Sequence, residues 1–175
     1  NEKGLIYKGH KVVPYCPRCG TSLSKAELEN GDNYKLLKEN SVYVKFKSND
    51  EENTYFLVWT TTPWTLPSNV ALCMNPNEEY VKIECDGKNY IMLEKLAPTL
   101  FEQGSYKIVY RKKGKEFEYH KYQPLFDYVK DKIKKGYFVT VDDYVTTEDG
   151  TGIVHIAPAF GEDDAAVGKK YGIDF

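Results

Sequence analysis

The sequence predicts a β-rich α/β fold, a barrel-like β core with short peripheral helices. Three observations carry that prediction. Short apolar or alternating runs recur between turn residues along the chain. Asp86-Gly87 joins two of these runs with a strong hairpin signal. A helical segment with a dipole-matched start appears near the end, at Glu162–Tyr171.

In chain order, Leu5-Ile6-Tyr7 and Val12-Val13 are expected as two short strands around a Gly9-His10 turn, followed by a knuckle at Cys16-Pro17-Arg18-Cys19-Gly20 and a polar stretch to Asn40. Val42, Val44 and Phe46 alternate with Tyr43, Lys45 and Lys47, the period of a half-buried strand. Ser48 to Asn53 forms a polar turn. Tyr55 to Trp59 is apolar without interruption, as in a central strand covered on both faces. Tyr80–Cys85 and Tyr90–Leu93 flank the hairpin turn. Glu94–Phe101 reads as a short helix that Pro98 keeps from being regular. Ser105–Tyr110, Tyr137–Val141 and Ile153–Ile156 are further strands, and three acids, Glu162, Asp163 and Asp164, open the closing helix.

Composition removes several function classes. The 175 residues, 41% hydrophobic, suit one domain with a real core rather than two. Lysine and arginine total 24 against 26 acids, a formal charge of −2, so net charge cannot drive binding to nucleic acid. Mean hydropathy is −0.57 and no run approaches the roughly 20 apolar residues of a membrane helix; no membrane partner is expected. Four cysteines, of which only Cys16 and Cys19 are closely spaced, do not form a secreted disulfide framework, and a reducing, cytoplasmic setting is expected. Both ends read as cuts through a larger protein. Phosphate-binding Gly-Lys loops, dinucleotide fingerprints and nucleophile elbows are absent from the sequence.

Two stretches carry candidate chemistry. In Trp59-Thr60-Thr61-Thr62-Pro63-Trp64-Thr65-Leu66-Pro67-Ser68-Asn69, a proline stops a buried strand directly after three threonines, which gathers hydroxyls at a sheet edge. A threonine-rich strand end shaped by two prolines is an equal reading of the same residues. In Gly150-Thr151-Gly152-Ile153-Val154-His155, the histidine points away from the face used by Val154 and Ile156, and a strand–turn–helix can return Asp164 to its side. A carboxylate there can bind an ammonium, orient water or partner the imidazole. Taken singly, a hydrogen-bonded core histidine and a dipole-pairing acid remain the ordinary readings. Cys16 and Cys19 have the spacing of half a zinc site, which requires two more ligands. The lysines from Lys107 to Lys135, interleaved with Tyr110, Phe117, Tyr119, Tyr122 and Tyr128, read as a solvated edge or as a single-strand-binding face.

Together, WTTTPWTLPSN at residues 59–69 and GTGIVHIAPAFGEDD at residues 150–164 resemble the editing domain of isoleucyl-tRNA synthetases, the connective-peptide insertion of the class I enzymes for isoleucine, valine and leucine. The likeness covers essentially the whole chain. GLIYKGHKVVPYCPRCGTSLS looks like the lead-in from a catalytic domain, which divides the chain into a lead-in at 1–40 and an editing core at 41–175. Valine and leucine enzymes usually carry arginine after the threonines, so Thr-Thr-Thr-Pro-Trp resembles the isoleucine type.

The resemblance implies a class I synthetase editing-domain fold and an aminoacyl-tRNA deacylase that removes valine from isoleucine tRNA, the second sieve of this family. It implies Thr60, Thr61, Thr62 and Asp164 as the catalytic set, with Trp64, Asn69 and His155 binding substrate. Asp164 would hold the α-ammonium and His155 would set the size limit. An activated ester needs only a positioned water, so no cofactor is implied for hydrolysis. Cys16 and Cys19 would belong to a zinc site completed elsewhere in the full-length enzyme. The implied partners are the 3′ end of the mischarged tRNA and the remaining synthetase chain, with the fragment itself a monomer. Phe160-Gly161 departs from the His-Gly of many relatives, so no second imidazole is implied. HIGH-like and KMSKS-like signatures are absent from the sequence, so ATP-dependent charging would belong to the full enzyme. The alternatives are a valine-type editing domain acting on threonyl-tRNA and a non-catalytic zinc-knuckle RNA-binding module.

Overall fold

A computed structural model of the chain describes residues 2–29 and 34–173. It separates into two compact units, Asn1–Lys38 and Glu39–Phe175. The last two residues of the expected cut end, and part of the polar stretch before Asn40, lie outside the described residues.

In the first unit, β1 (Tyr15–Cys16) and β2 (Thr21–Ser22) pair antiparallel around the cysteine knuckle, and α1 (Lys25–Leu28) follows with a capping box between Ser24 and Glu27. The strands expected at Leu5–Tyr7 and Val12–Val13 do not form. Leu5, Ile6 and Tyr7 are all highly exposed. Two- and three-residue apolar runs are too short to stand as strands without a sheet to join.

The second unit holds a five-stranded and a three-stranded sheet. The first takes β3 (Val42–Lys47), β4 (Thr54–Thr60), β6 (Glu79–Cys85), β7 (Lys88–Leu93) and β8 (Lys107–Lys113) in the order β3-β4-β7-β6-β8. β4 lies inside this sheet, antiparallel to β3 and parallel to β7, as its unbroken apolar run predicts. Asp86 and Gly87 both adopt positive φ and close the β6–β7 hairpin. The second sheet orders β10-β5-β9, from β5 (Ala71–Met74), β9 (Phe138–Val141) and β10 (Ile153–Ile156). After a 3-10 turn at Glu94–Leu96 comes α2 (Ala97–Leu100), with Pro98 in its first turn where no N–H is required. The last element, α3, spans Glu162–Tyr171 and ends at Gly172 in the left-handed conformation.

The β-rich core with short helices is the fold the sequence predicts, but both sheets stay open and no closed barrel forms among the described residues. The three-stranded sheet instead becomes a middle layer. Leu72, Met74, Val139 and Ile153 share one core with Phe56, Val58 and Ile91 of the larger sheet. Ala71, Cys73 and Ile156, on alternate positions, share a second core with Val167 and Tyr171 of α3. Strand alternation therefore puts His155 on the side of the larger sheet and Val154 on the side of α3. No helix among the described residues is long and apolar enough to cross a membrane.

Of the aromatics between Lys107 and Lys135, Phe117 and Tyr122 are fully buried in the core and Tyr110 packs against it. These three rings serve the core and cannot stack on nucleic-acid bases, whereas Tyr119 and Tyr128 stand exposed among the lysines.

Candidate functional site

A cavity of about 430 Å³ opens where the end of β4 meets β10 and the start of α3. One wall is Trp59 through Thr62 with Trp64 and Thr65; the other is Val154, His155 and residues 160–164, with Tyr144 alongside. This volume lies in the roughly 300–1,000 Å³ range of small-molecule sites. Among the described residues three carboxylates line the cavity and neither lysine nor arginine does, so it favours a cationic group and disfavours phosphate.

The threonine wall follows from the proline. β4 ends at Thr60, and Pro63 begins a 3-10 helix at Pro63–Ser68. Between them the chain turns on the Thr60 side chain, whose Oγ1 accepts from Thr62 N–H at 3.0 Å. The Thr60 and Thr62 hydroxyls are 3.3 Å apart. Whichever donates to the other, one hydroxyl proton of the pair stays unshared and can point at a bound oxygen. Thr60 is buried, whereas Thr61 and Thr62 are exposed to the cavity side.

Across the cavity, His155 is held in register opposite Leu72 of β5. Its Nε2 lies 3.0 Å from Thr65 Oγ1, and its Nδ1 is buried without a partner. Burial pushes the imidazole pKa down to about 4. The ring is therefore neutral at physiological pH.

Asp164 sits in the first turn of α3, and its Oδ2 accepts from Ala157 N–H at 3.0 Å. Burial raises its pKa, the Ala157 N–H lowers it, and neighbouring Asp163 raises it. Gly161 makes room for the carboxylate: a Cβ at this position would stand 3.0 Å from Asp164 Cγ. An acid that burial disfavours, aimed into a cavity without a cation, is suited to receiving one from a ligand.

Residues 1–147 match the family model of tRNA synthetases class I (I, L, M and V). The chain belongs to that family. It is 54% identical over 171 residues to the isoleucine–tRNA ligase of Clostridium novyi (strain NT), covering 97% of this chain and 16% of that protein. The isoleucine–tRNA ligase of Bacillus thuringiensis (strain Al Hakam) is 48% identical over 175 residues, covering 100% of this chain and 16% of that protein. The chain thus spans 16% of the length of these curated relatives. Among solved structures it resembles GlLeuRS-CP1, with a TM-score of 0.62 at 18% identity over 77% of this chain and 65% of that one. It also resembles the P. falciparum cytosolic leucyl-tRNA synthetase editing domain, with a TM-score of 0.54 at 19% identity over 65% of this chain and 44% of that one. At these identities the structural likeness is one of fold.

Of the residues expected to act in this class I synthetase chain, Thr60, Thr61, Thr62, Trp64, His155 and Asp164 line one cavity. Asn69 does not. Its side chain is buried, with Nδ2 donating to Ala71 O at 2.8 Å and Oδ1 accepting from Tyr122 OH at 2.6 Å. The structure thus places Asn69 outside the cavity lining, where it ties the threonine loop to the start of β5 and to the core. Cys16 ends β1 and Cys19 lies in the turn to β2, with Cys19 N–H donating to Cys16 Sγ at 3.4 Å. Among the described residues no group of three or more His, Cys, Asp or Glu could hold a metal, so two thiols do not complete a tetrahedral zinc site.

The sequence reading missed Trp59, Thr65 and Tyr144 as cavity residues. Trp59 opens the threonine stretch, but its place in the cavity is a tertiary fact: Gly150 adopts φ +74° and a Cβ there would stand 2.7 Å from the Trp59 ring. Gly150 therefore lets the loop lie on the indole, while Gly152, at φ +70°, lies against Leu93. Thr65 is one 3-10 turn after Thr62, and Tyr144 has no local pattern that marks it.

Proposed function

We propose that this chain is a synthetase proofreading site that hydrolyses the ester of valine wrongly attached to isoleucine tRNA. The observation that carries the reading is the Asp164 carboxylate facing the Thr60–Thr62 hydroxyl pair within one cavity that lacks any lysine or arginine. An aminoacyl ester presents the complementary set of groups, an α-ammonium, a carbonyl oxygen and a small side chain.

In this reading Asp164 receives the α-ammonium by a charge-assisted hydrogen bond, which a bound cation makes far stronger than burial alone allows. The unshared hydroxyl proton of the Thr60–Thr62 pair binds an ester oxygen. Water attacks the carbonyl carbon, the bond to the terminal ribose oxygen breaks, and that oxygen leaves with a proton. His155 takes no proton in this scheme, because its Nε2 is engaged by Thr65 and its Nδ1 is buried; it serves as a wall for the acyl side chain. Trp64, 71% exposed, and Phe160, 59% exposed, stand on the two sides of the cavity and offer flat apolar faces to the terminal base. The acidic cavity cannot hold tRNA phosphates, so the rest of the synthetase supplies those contacts.

The test is release of amino acid from valyl-tRNA(Ile) and from threonyl-tRNA(Val). Valine release by the unaltered chain, falling at least ~100-fold in Asp164→Ala with the fold intact, is expected from loss of a desolvated charge pair. Threonine release without valine release would reassign the site to the valine-type reaction. Equal valine release by the variant would overturn the role of Asp164.

A further inference from the structure

We propose that Thr65 is a positioning residue whose hydroxyl locks the His155 imidazole as the Nε2-protonated tautomer, in one orientation against the cavity. This inference rests on the proofreading reading for its consequence, but the lock itself does not.

The hydrogen-bond count decides the tautomer. Thr65 Oγ1 lies 2.9 Å from Thr62 O, to which it donates, and 3.0 Å from His155 Nε2. A hydroxyl has one proton. If it goes to Thr62 O, then His155 Nε2 must carry a proton and donate it to Thr65, so both contacts are bonds and only a lone pair on Nδ1 is left over. If it goes to Nε2 instead, the contact to Thr62 O is lost and a buried Nδ1–H is left with nothing to bind. The first arrangement has one more hydrogen bond and leaves an acceptor rather than a donor unsatisfied. Both residues are 8% exposed and the His155 Nδ1 atom is buried, so water cannot compensate for the difference.

An ordinary role in the 3-10 turn does not account for the hydroxyl. Thr62 O already accepts the backbone N–H of Thr65 at 3.1 Å, which closes that turn without the side chain. The hydroxyl instead links the threonine loop to a strand 90 residues later in sequence. The β10 ladder places the His155 backbone but leaves χ2 undetermined. A ring flip would exchange Nε2 for a carbon, and the bond to Thr65 selects one of the two flips. A wall that must admit one side chain and refuse another a methylene larger has to hold still, and Thr65 supplies that restraint.

The experiment is long-range ¹H–¹⁵N correlation of the histidine rings in the ¹⁵N-labelled chain, made for the unaltered protein, Thr65→Ser and Thr65→Val. Amino-acid release from valyl-tRNA(Ile) and isoleucyl-tRNA(Ile) is measured beside it. The unaltered protein and Thr65→Ser should show a protonated Nε2 and an unprotonated Nδ1 at His155. Thr65→Val should lose that signature and raise isoleucine release about tenfold above the unaltered protein, while valine release changes less. An unprotonated Nε2 in the unaltered chain overturns the lock, and this result needs no variant to fold. An unchanged ring signature in Thr65→Val also overturns it. Absence of valine release by the unaltered chain would instead remove the proofreading reading, and the ring spectra would still decide the lock.

Discussion

The low proton affinity of His155 converts directly into a stability profile. In the unfolded chain its imidazole has the ordinary pKa of 6.5, and in the fold burial brings this down to about 4. The native state therefore binds fewer protons than the unfolded state between these values. The stabilisation is full above the unfolded pKa and is lost as pH falls through the folded one. The difference corresponds to about 3 kcal/mol in total, of which about 2 kcal/mol should disappear between pH 7 and pH 5. Asp164 works in the opposite sense, since burial raises its pKa, and it is common to the two proteins compared below. Burial pushes Glu51 up but its bonds to Lys82 and Tyr110 lower it overall, and Lys170 lowers Asp142, so both lose stabilisation as the pH falls through the carboxylates. Urea unfolding of the unaltered chain and of His155→Phe, each compared with itself across pH, isolates the histidine, because the phenylalanine keeps a flat ring there and cannot titrate. The two curves should converge by about 2 kcal/mol on acidification from pH 7 to pH 5. Parallel curves would refute the assignment of a neutral, water-excluded imidazole. With it would go the argument that His155 is a wall rather than a base.

Two further outcomes follow from the cavity walls. Gly150→Ala places a Cβ at positive φ and against the Trp59 ring, and should cost about 2–4 kcal/mol in urea unfolding, with Trp59 fluorescence shifted in the folded state. A stability within ~0.5 kcal/mol of the unaltered chain would mean the loop does not rest on the indole. Trp64→Ala and Phe160→Ala should each raise the KM for valyl-tRNA(Ile) by roughly tenfold while leaving kcat and the melting temperature nearly unchanged, as expected for base stacking at an exposed rim. A loss confined to kcat would place these rings at the reacting ester instead.

Much of the fold was legible because its signals are local. The unbroken apolar run of β4, the Asp86-Gly87 hairpin and the three acids opening α3 each state their conformation within a few residues. Short runs without a partner misled, as at Leu5–Tyr7, because a strand exists only where a neighbouring strand takes up its backbone hydrogen bonds. The open sheets replaced the expected barrel for the same reason, since strand order is a long-range property that turn residues do not encode. Asn69 had the composition of a binding residue, yet the fold commits both ends of its amide to Ala71 and Tyr122.

The candidate site divides along the same line. From sequence alone came a hydroxyl cluster at a strand end, a histidine on a strand and an acid in a helix's first turn, because residue type and short-range geometry suffice to state each of them. Tertiary structure alone decided that these three segments enclose one cavity, that Trp59 and Tyr144 complete it, and that Thr65 reaches His155. Contacts across 90 residues depend on how the middle sheet layer packs between the larger sheet and α3. No spacing along the chain records that packing, because the free energy that sets it is spread over two cores rather than written in any one motif.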